Sequence, residues 1–172
     1  METHNKIFNT FNKLIQIKAF DDISVLEICK EAHVSTSSFY RHYKDKYDVM
    51  NDNYKRILDQ YMHSSQNHNY EDVFINLFNM SKELHYLKNA FDYTGINSLG
   101  DFIYQYSYNT VIEMCKIKNI QFEDKDLLLL DVFCGGASIM YQHYILGKFD
   151  LSPQQAGKTL YQMFPDVFKI SW

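Results

Sequence analysis

Glycine and proline are scarce in this chain, 6 and 2 in 172 residues. That is too few for the frequent turns of a β-sandwich or barrel, so helices joined by short connections are expected. Cysteine is also rare: Cys29, Cys115 and Cys134 are odd in number, widely separated and never arranged as C-x-x-C. This excludes a disulfide framework and a zinc ribbon, and the three thiols read as small buried hydrophobes. No apolar run approaches membrane-spanning length. The longest, Leu127 to Leu130, is broken by Asp131. The opening Met-Glu-Thr-His-Asn-Lys lacks the apolar stretch of a signal peptide, so a cytoplasmic protein with no membrane contact is expected.

Catalytic signatures are missing as well. G-x-S-x-G, H-E-x-x-H and a phosphate-binding glycine loop do not occur, so neither an enzyme nor a cofactor is expected. Glu123, Asp124 and Asp126 read as a charged helix start rather than an acid/base pair. His63 and His68 lack a carboxylate or thiol to complete a four-ligand set, and His85 and His143 suit the surface or a hydrogen-bonded core, so no metal is expected. An excess of positive charge is absent too, the formal net charge being −4. Its distribution is uneven: residues 1–60 carry nine Lys/Arg against nine Asp/Glu, and the remainder carries all of the negative excess. The N-terminal third is thus the less acidic part, weak support for a DNA-facing N-terminus.

What is present is core material and helical punctuation. Apolar residues make up 46 %, with 14 Tyr and 13 Phe. Ile7, Phe8, Phe11, Leu14 and Ile15 form one helical stripe, capped by Thr3 or Asn5. Ser24 with Glu27 spells a capping box for a short helix bearing Val25, Ile28 and Cys29. Ser35 caps a third helix over about Thr36 to Tyr43, and Asp45 a fourth. Two short helices divided by a three- or four-residue turn make a helix-turn-helix. Further periodic segments run over 70–84, 87–93, 98–119 and 124–146, the last stopped by Gly147. Ser152-Pro153-Gln154-Gln155 opens a final helix. An all-α fold of about nine helices is predicted.

Residues 20–50 resemble the DNA-binding signature of the TetR family. The resemblance is carried by Val34-Ser35 and then Phe39-Tyr40-x-His42-Tyr43-x-Asp45-Lys46. It implies a turn, a recognition helix and a lysine opening the next helix. The remainder is similar to regulators of the dihydroxyacetone kinase operon type, through Leu87-Lys88-Asn89-Ala90-Phe91, Asn97-Ser98, Phe133-Cys134-Gly135-Gly136 and Ser152-Pro153. The chain departs from the pattern at His33, where the family usually has Gly at a backbone position that tends to need positive φ. It departs again at Thr36, where the subfamily commonly has Arg.

The expected DNA contacts are Ser24, Ser35, Thr36, Ser37, Ser38, Tyr40, Arg41, His42, Lys44 and Lys46. Small hydroxyl residues at the start of the third helix allow close approach to the major groove. By the resemblance, Tyr40, His42 and Lys46 hold the DNA backbone, while Phe39 and Val34 point inward. Two subunits would neutralise about 6 phosphates, a moderate salt slope. Gly135 and Gly136 inside a long helix suggest close packing across a dimer axis. That dimer surface is expected to use Phe133, Gly136, Ala137, Met140 and Tyr144, against Ala156 and Leu160 of the last helix. Tyr86, Phe91, Phe102, Tyr106 and Tyr141 either line an effector cavity or form ordinary core.

The expected organisation is a DNA-binding domain over 1–46 and a sensing and dimerisation domain over 47–172. The expected function is a dimeric repressor on a pseudo-palindromic operator, released by a small-molecule effector. The alternative is a helical regulator acting mainly through a partner protein.

Overall fold

A computed structural model describes residues 2–62, 67–83, 87–91 and 98–171. Among them, the chain folds into nine α-helices, two short 3-10 turns and an isolated bridge between Asn69 and Ser171. The all-α class follows from the sequence as expected. Two compact units are present: Met1–Leu58 with His85–Leu99, and Asp59–Leu84 with Gly100–Trp172.

In the first unit, α1 (Glu2–Ile17) begins ahead of the caps expected at Thr3 or Asn5 and buries Ile7, Phe11, Leu14 and Ile15. A 3-10 turn (Phe20–Asp22) leads into α2 (Val25–Glu31), α3 (Thr36–Tyr40) and most of α4 (Lys46–Met62), and α6 (Leu87–Phe91) also belongs here. Phe11 and Phe20 meet edge to face at 6.4 Å and are both buried. Phe39, Val49 and Tyr54 are buried with them. Each such aromatic removed from water contributes about 1.5–3 kcal/mol, which is what holds three very short elements in place.

Ser24 caps α2 by accepting from the Glu27 N–H at 3.1 Å. The capping box is only half formed there, because the Glu27 carboxylate pairs with Lys18, just past α1, instead. The chain leaves α2 through His33, whose φ of 52° is the left-handed conformation that the glycine-like position requires. The third helix is shorter than the expected span to Tyr43. Regular α3 stops at Tyr40, and the N–H groups of His42 and Tyr43 both donate to the Phe39 carbonyl, at 2.9 and 3.0 Å.

The second unit contains α5 (Tyr70–Glu83), most of α7 (Leu99–Lys118), α8 (Asp124–Ile145), α9 (Pro153–Met163) and a 3-10 turn (Asp166–Phe168). Its core gathers Tyr70, Val111, Cys115, Leu130, Cys134, Phe164 and Phe168. Glu123 and Asp126 form the capping box of α8, so the acidic cluster sits at a helix start. Ser152 and Gln155 form that of α9, with Pro153 in the first turn. Left-handed residues lie just past two helices, Asn119 (φ 55°) after α7 and Gly147 (φ 74°) after α8. No helix among the described residues is long and apolar enough to cross a membrane.

One packing detail corrects the sequence reading of α9. A Cβ on Gly157 would lie 2.6 Å from the Cα and N of Ile75, so this glycine lets α9 press directly on α5 within the same chain. Ala156 and Leu160, expected at a dimer surface, are 1 % and 4 % exposed. The face of α9 that carries Ala156, Gly157 and Leu160 is thus used on its own unit, while Met163 at its end stays exposed.

Candidate nucleic-acid interface

Two short helices can present a recognition surface only if their inward side chains fix their angle. Phe39 does this for α3, being fully buried and within ring contact of Tyr40 (5.4 Å) and Tyr43 (5.9 Å). Val34, also expected to face inward, is half-buried. With Phe39 facing in, Thr36, Ser37, Tyr40, Arg41 and His42 face out, and Lys44 follows in the connection to α4. Tyr40 stays 59 % exposed, a large ring left in water at the centre of a polar surface. Ser24 and Ser35 are exposed at the starts of α2 and α3.

The serines are already engaged locally. The Ser35 hydroxyl accepts from the Ser38 N–H at 3.1 Å and donates to the Ser38 hydroxyl at 2.9 Å. Arg41 donates to that same Ser38 oxygen at 3.0 Å, which steadies its guanidinium over α3. Ser38 therefore acts as a bracket for Arg41, while Thr36 and Ser37 present their hydroxyls outward. Asp45 and Asp48 cap the next helix: the Asp48 N–H donates to Asp45 at 2.9 Å, and the Lys44 N–H to Asp48 at 3.1 Å.

The Lys46 ammonium is engaged within its own chain. It donates to the carbonyls of Phe20 (2.9 Å), Asp21 (3.2 Å) and Ile23 (2.9 Å) and sits 4.5 Å above the Phe20 ring. An ammonium has three N–H groups, and all three are accounted for. Burial pushes its pKa down, countered by the nearby Asp21 and Asp22 carboxylates. Lys46 fastens the 3-10 turn to the start of α4 and supports the interface from behind. Nothing in the sequence pointed to His4 and Asp52, which meet the Tyr43 hydroxyl just past α3, or to Arg56, which pairs with both of them. Only the Asp52/Arg56 spacing of four residues was legible as a helical ion pair.

The residues expected at an effector cavity do not form one describable group. Tyr86 lies outside the described residues, as do His63 and His85. Phe91 belongs to the first unit and is buried there. In the second unit, Tyr141 is packed core, with its ring 5.5 Å from Phe78 and its hydroxyl donating to the Leu77 carbonyl at 3.3 Å. Phe102 and Tyr106 are half-buried, their rings 5.8 Å apart, and the Tyr106 hydroxyl donates to Asp59 at 2.6 Å. The cysteines are all buried as free thiols. Burial raises their pKa values, that of Cys134 to about 12 with help from the Asp131 carboxylate.

On α8, an added Cβ at Gly135 or Gly136 would meet nothing within 4 Å among the described residues. Leu128 (64 %), Val132 (67 %) and Ile139 (56 %) are exposed at helical spacing beside them. Phe133, Ala137, Met140 and Tyr144 are half-buried against the chain's own core.

Comparison with known proteins agrees with this geometry. The family model of bacterial regulatory proteins, tetR family, matches residues 10–52. No curated protein sequence matches the chain. Among solved structures, the dihydroxyacetone kinase operon activator DhaS is similar at 14 % identity with a TM-score of 0.61, over 94 % of this chain and 93 % of that one. A TetR transcriptional regulator from Rhodococcus sp. RHA1 is similar at 14 % identity with a TM-score of 0.58, over 96 % and 94 % of the two chains. The fatty acid degradation regulator FadR from Bacillus halodurans has 15 % identity and a TM-score of 0.57, over 98 % and 97 %. At such identities the likeness is one of fold. Residues 10–52 therefore carry the pattern of the bacterial regulatory proteins, tetR family, and the chain as a whole is similar in fold to a TetR transcriptional regulator.

Proposed function

We propose that this regulator binds double-stranded DNA as a homodimer, with the start of α3 in the major groove. The observation that carries this reading is the outward run of Thr36, Ser37, Tyr40, Arg41, His42 and Lys44, held on a short helix by the buried Phe39. Hydroxyls at the start of the helix suit base edges, and Tyr40, His42 and the cations suit phosphates. Ser24 and Ser35 lie at neighbouring helix starts and are assigned to the same surface, with Ser38 holding Arg41 in position. One such module with so few cations binds weakly, so two copies on a pseudo-palindromic operator are needed.

The dimer surface we assign is the exposed stripe of α8 through Leu128, Val132, Gly136 and Ile139, with Gly135 and Gly136 allowing close helix approach. We assign the regulatory sign as repression, relieved by a small-molecule effector that binds one of two dimer states better.

A second reading, regulation mainly through a partner protein, is favoured by one observation. With Lys46 committed to backbone carbonyls, the exposed cations between residues 35 and 46 are Arg41 and Lys44. An electrophoretic shift with the DNA upstream of the protein's own gene separates the two readings. A discrete shifted band that resists nonspecific competitor and disappears in Tyr40→Ala/Arg41→Ala supports operator binding. A folded dimer that gives no band supports the partner-protein reading.

A further inference from the structure

His4, on α1, is 39 residues away in sequence from Tyr43, just past α3, but touches it in space. Its Nε2 lies 2.8 Å from the Tyr43 hydroxyl and 3.3 Å from Asp52 Oδ2, and its Nδ1 lies 3.0 Å from an Arg56 guanidinium nitrogen. Tyr43 donates to Asp52 Oδ2 at 2.7 Å, and Arg56 reaches Asp52 Oδ2 at 3.3 Å. The His4 and Tyr43 rings stack at 5.0 Å, the His42 ring lies 5.9 Å away edge-on, and Arg56 covers Phe8 at 4.1 Å. One imidazole thus joins α1, the residues just after the recognition helix, and α4.

The partners fix its protonation. A guanidinium can only donate, so Nδ1 must offer a lone pair to Arg56. Nε2 then carries the proton and donates to Tyr43 or Asp52. A second proton could bind only at Nδ1, facing the guanidinium. Nε2 would gain nothing, being a donor already. A proton added at Nδ1 removes the hydrogen bond there and leaves two donors facing each other, so the ring or Arg56 must move away. The charged or titratable groups around this point are Asp52, Arg56 and Asp48 of α4, and Tyr43 and His42 beyond α3; Asp48 also acts on the Tyr43 hydroxyl.

We propose that His4 is a positioning residue for DNA binding, and that its neutral ring sets Tyr43 and the adjoining His42 against α4 so that acid weakens operator binding. This rests on the DNA-binding reading above. The predicted sign is diagnostic. Protonation of histidines at a phosphate-facing surface would strengthen binding in acid, whereas loss of the His4 bridge weakens it.

The test is fluorescence-anisotropy binding of the full chain to a labelled duplex from upstream of its own gene, between about pH 8 and about pH 5.5. Wild type is expected to weaken roughly tenfold in acid. His4→Gln, which carries no titrating ring, is expected to bind more weakly than wild type at the upper pH and to show no acid weakening. His42→Gln is expected to keep the acid weakening. Wild-type binding that strengthens in acid, or a His4→Gln slope equal to wild type, overturns the proposal. Long-range ¹H–¹⁵N spectra of the His4 ring give a second readout independent of DNA: a lone-pair Nδ1 at the upper pH is expected, and a protonated Nδ1 there overturns it. If wild type binds no duplex at any pH, the DNA-binding reading fails and the functional half of this proposal is overturned with it, while the ring spectra still decide the bridge itself.

Discussion

The Lys46 ammonium has three N–H groups, and the fold supplies a carbonyl for each, from Phe20, Asp21 and Ile23. Removing it leaves carbonyls of a 3-10 turn short of a donor. Lys46→Met is therefore expected to lower unfolding stability by about 1–3 kcal/mol, measured by urea denaturation, while leaving the salt dependence of DNA binding unchanged. A variant of unaltered stability with a shallower salt slope would instead make Lys46 a phosphate contact. His33 offers a second check at this scale. With φ at 52°, a β-branched side chain is badly strained, so His33→Val is expected to cost about 1–2 kcal/mol and to lower the melting temperature.

The need for positive φ at residue 33 was legible, because the position resembles a glycine site. The use made of Lys46 was not, since its acceptors are backbone atoms more than twenty residues earlier. A sequence pattern records side chains, and it is silent on which carbonyls face them. The same blindness hid the Lys18–Glu27 pair, which takes the carboxylate that the S-x-x-E spacing assigned to a capping box.

Helix by helix, punctuation was read well and faces less well. Ser24, Ser35 and Ser152 cap where the sequence put them, and Gly147 ends α8. These are local signals carried within four residues. Which neighbour a small-residue face meets is not local, and α8 and α9 show the consequence. Gly157 meets the Ile75 backbone, whereas a Cβ on Gly135 or Gly136 meets nothing within 4 Å among the described residues. Gly157→Ala is therefore expected to destabilise by about 1–3 kcal/mol, because backbone cannot rotate away as a side chain can. Gly136→Ala is expected to do the reverse, stabilising the helix by up to about 1 kcal/mol while weakening self-association in analytical ultracentrifugation. An equal loss of stability in both variants would mean that the two glycine sites serve the same packing.

For the whole molecule, the all-helical class and the helix-turn-helix were visible because caps, apolar period and the residue 20–50 pattern agree. The second unit was less legible. Aromatic residues such as Tyr141 and Phe91 look alike in sequence whether they line a cavity or fill a core, and both are buried. Only the three-dimensional neighbours of Tyr141, Phe78 and the Leu77 carbonyl, identify it as core. DNA binding, as proposed, rests on the surface that Phe39 holds outward. Its most direct test is fluorescence anisotropy with DNA from upstream of the protein's own gene, titrated at about 50 and about 200 mM salt. The account predicts saturable, sequence-preferring binding that weakens at the higher salt and is lost in Tyr40→Ala/Arg41→Ala. Binding indifferent to sequence and to those two side chains, from a folded dimer, would contradict it.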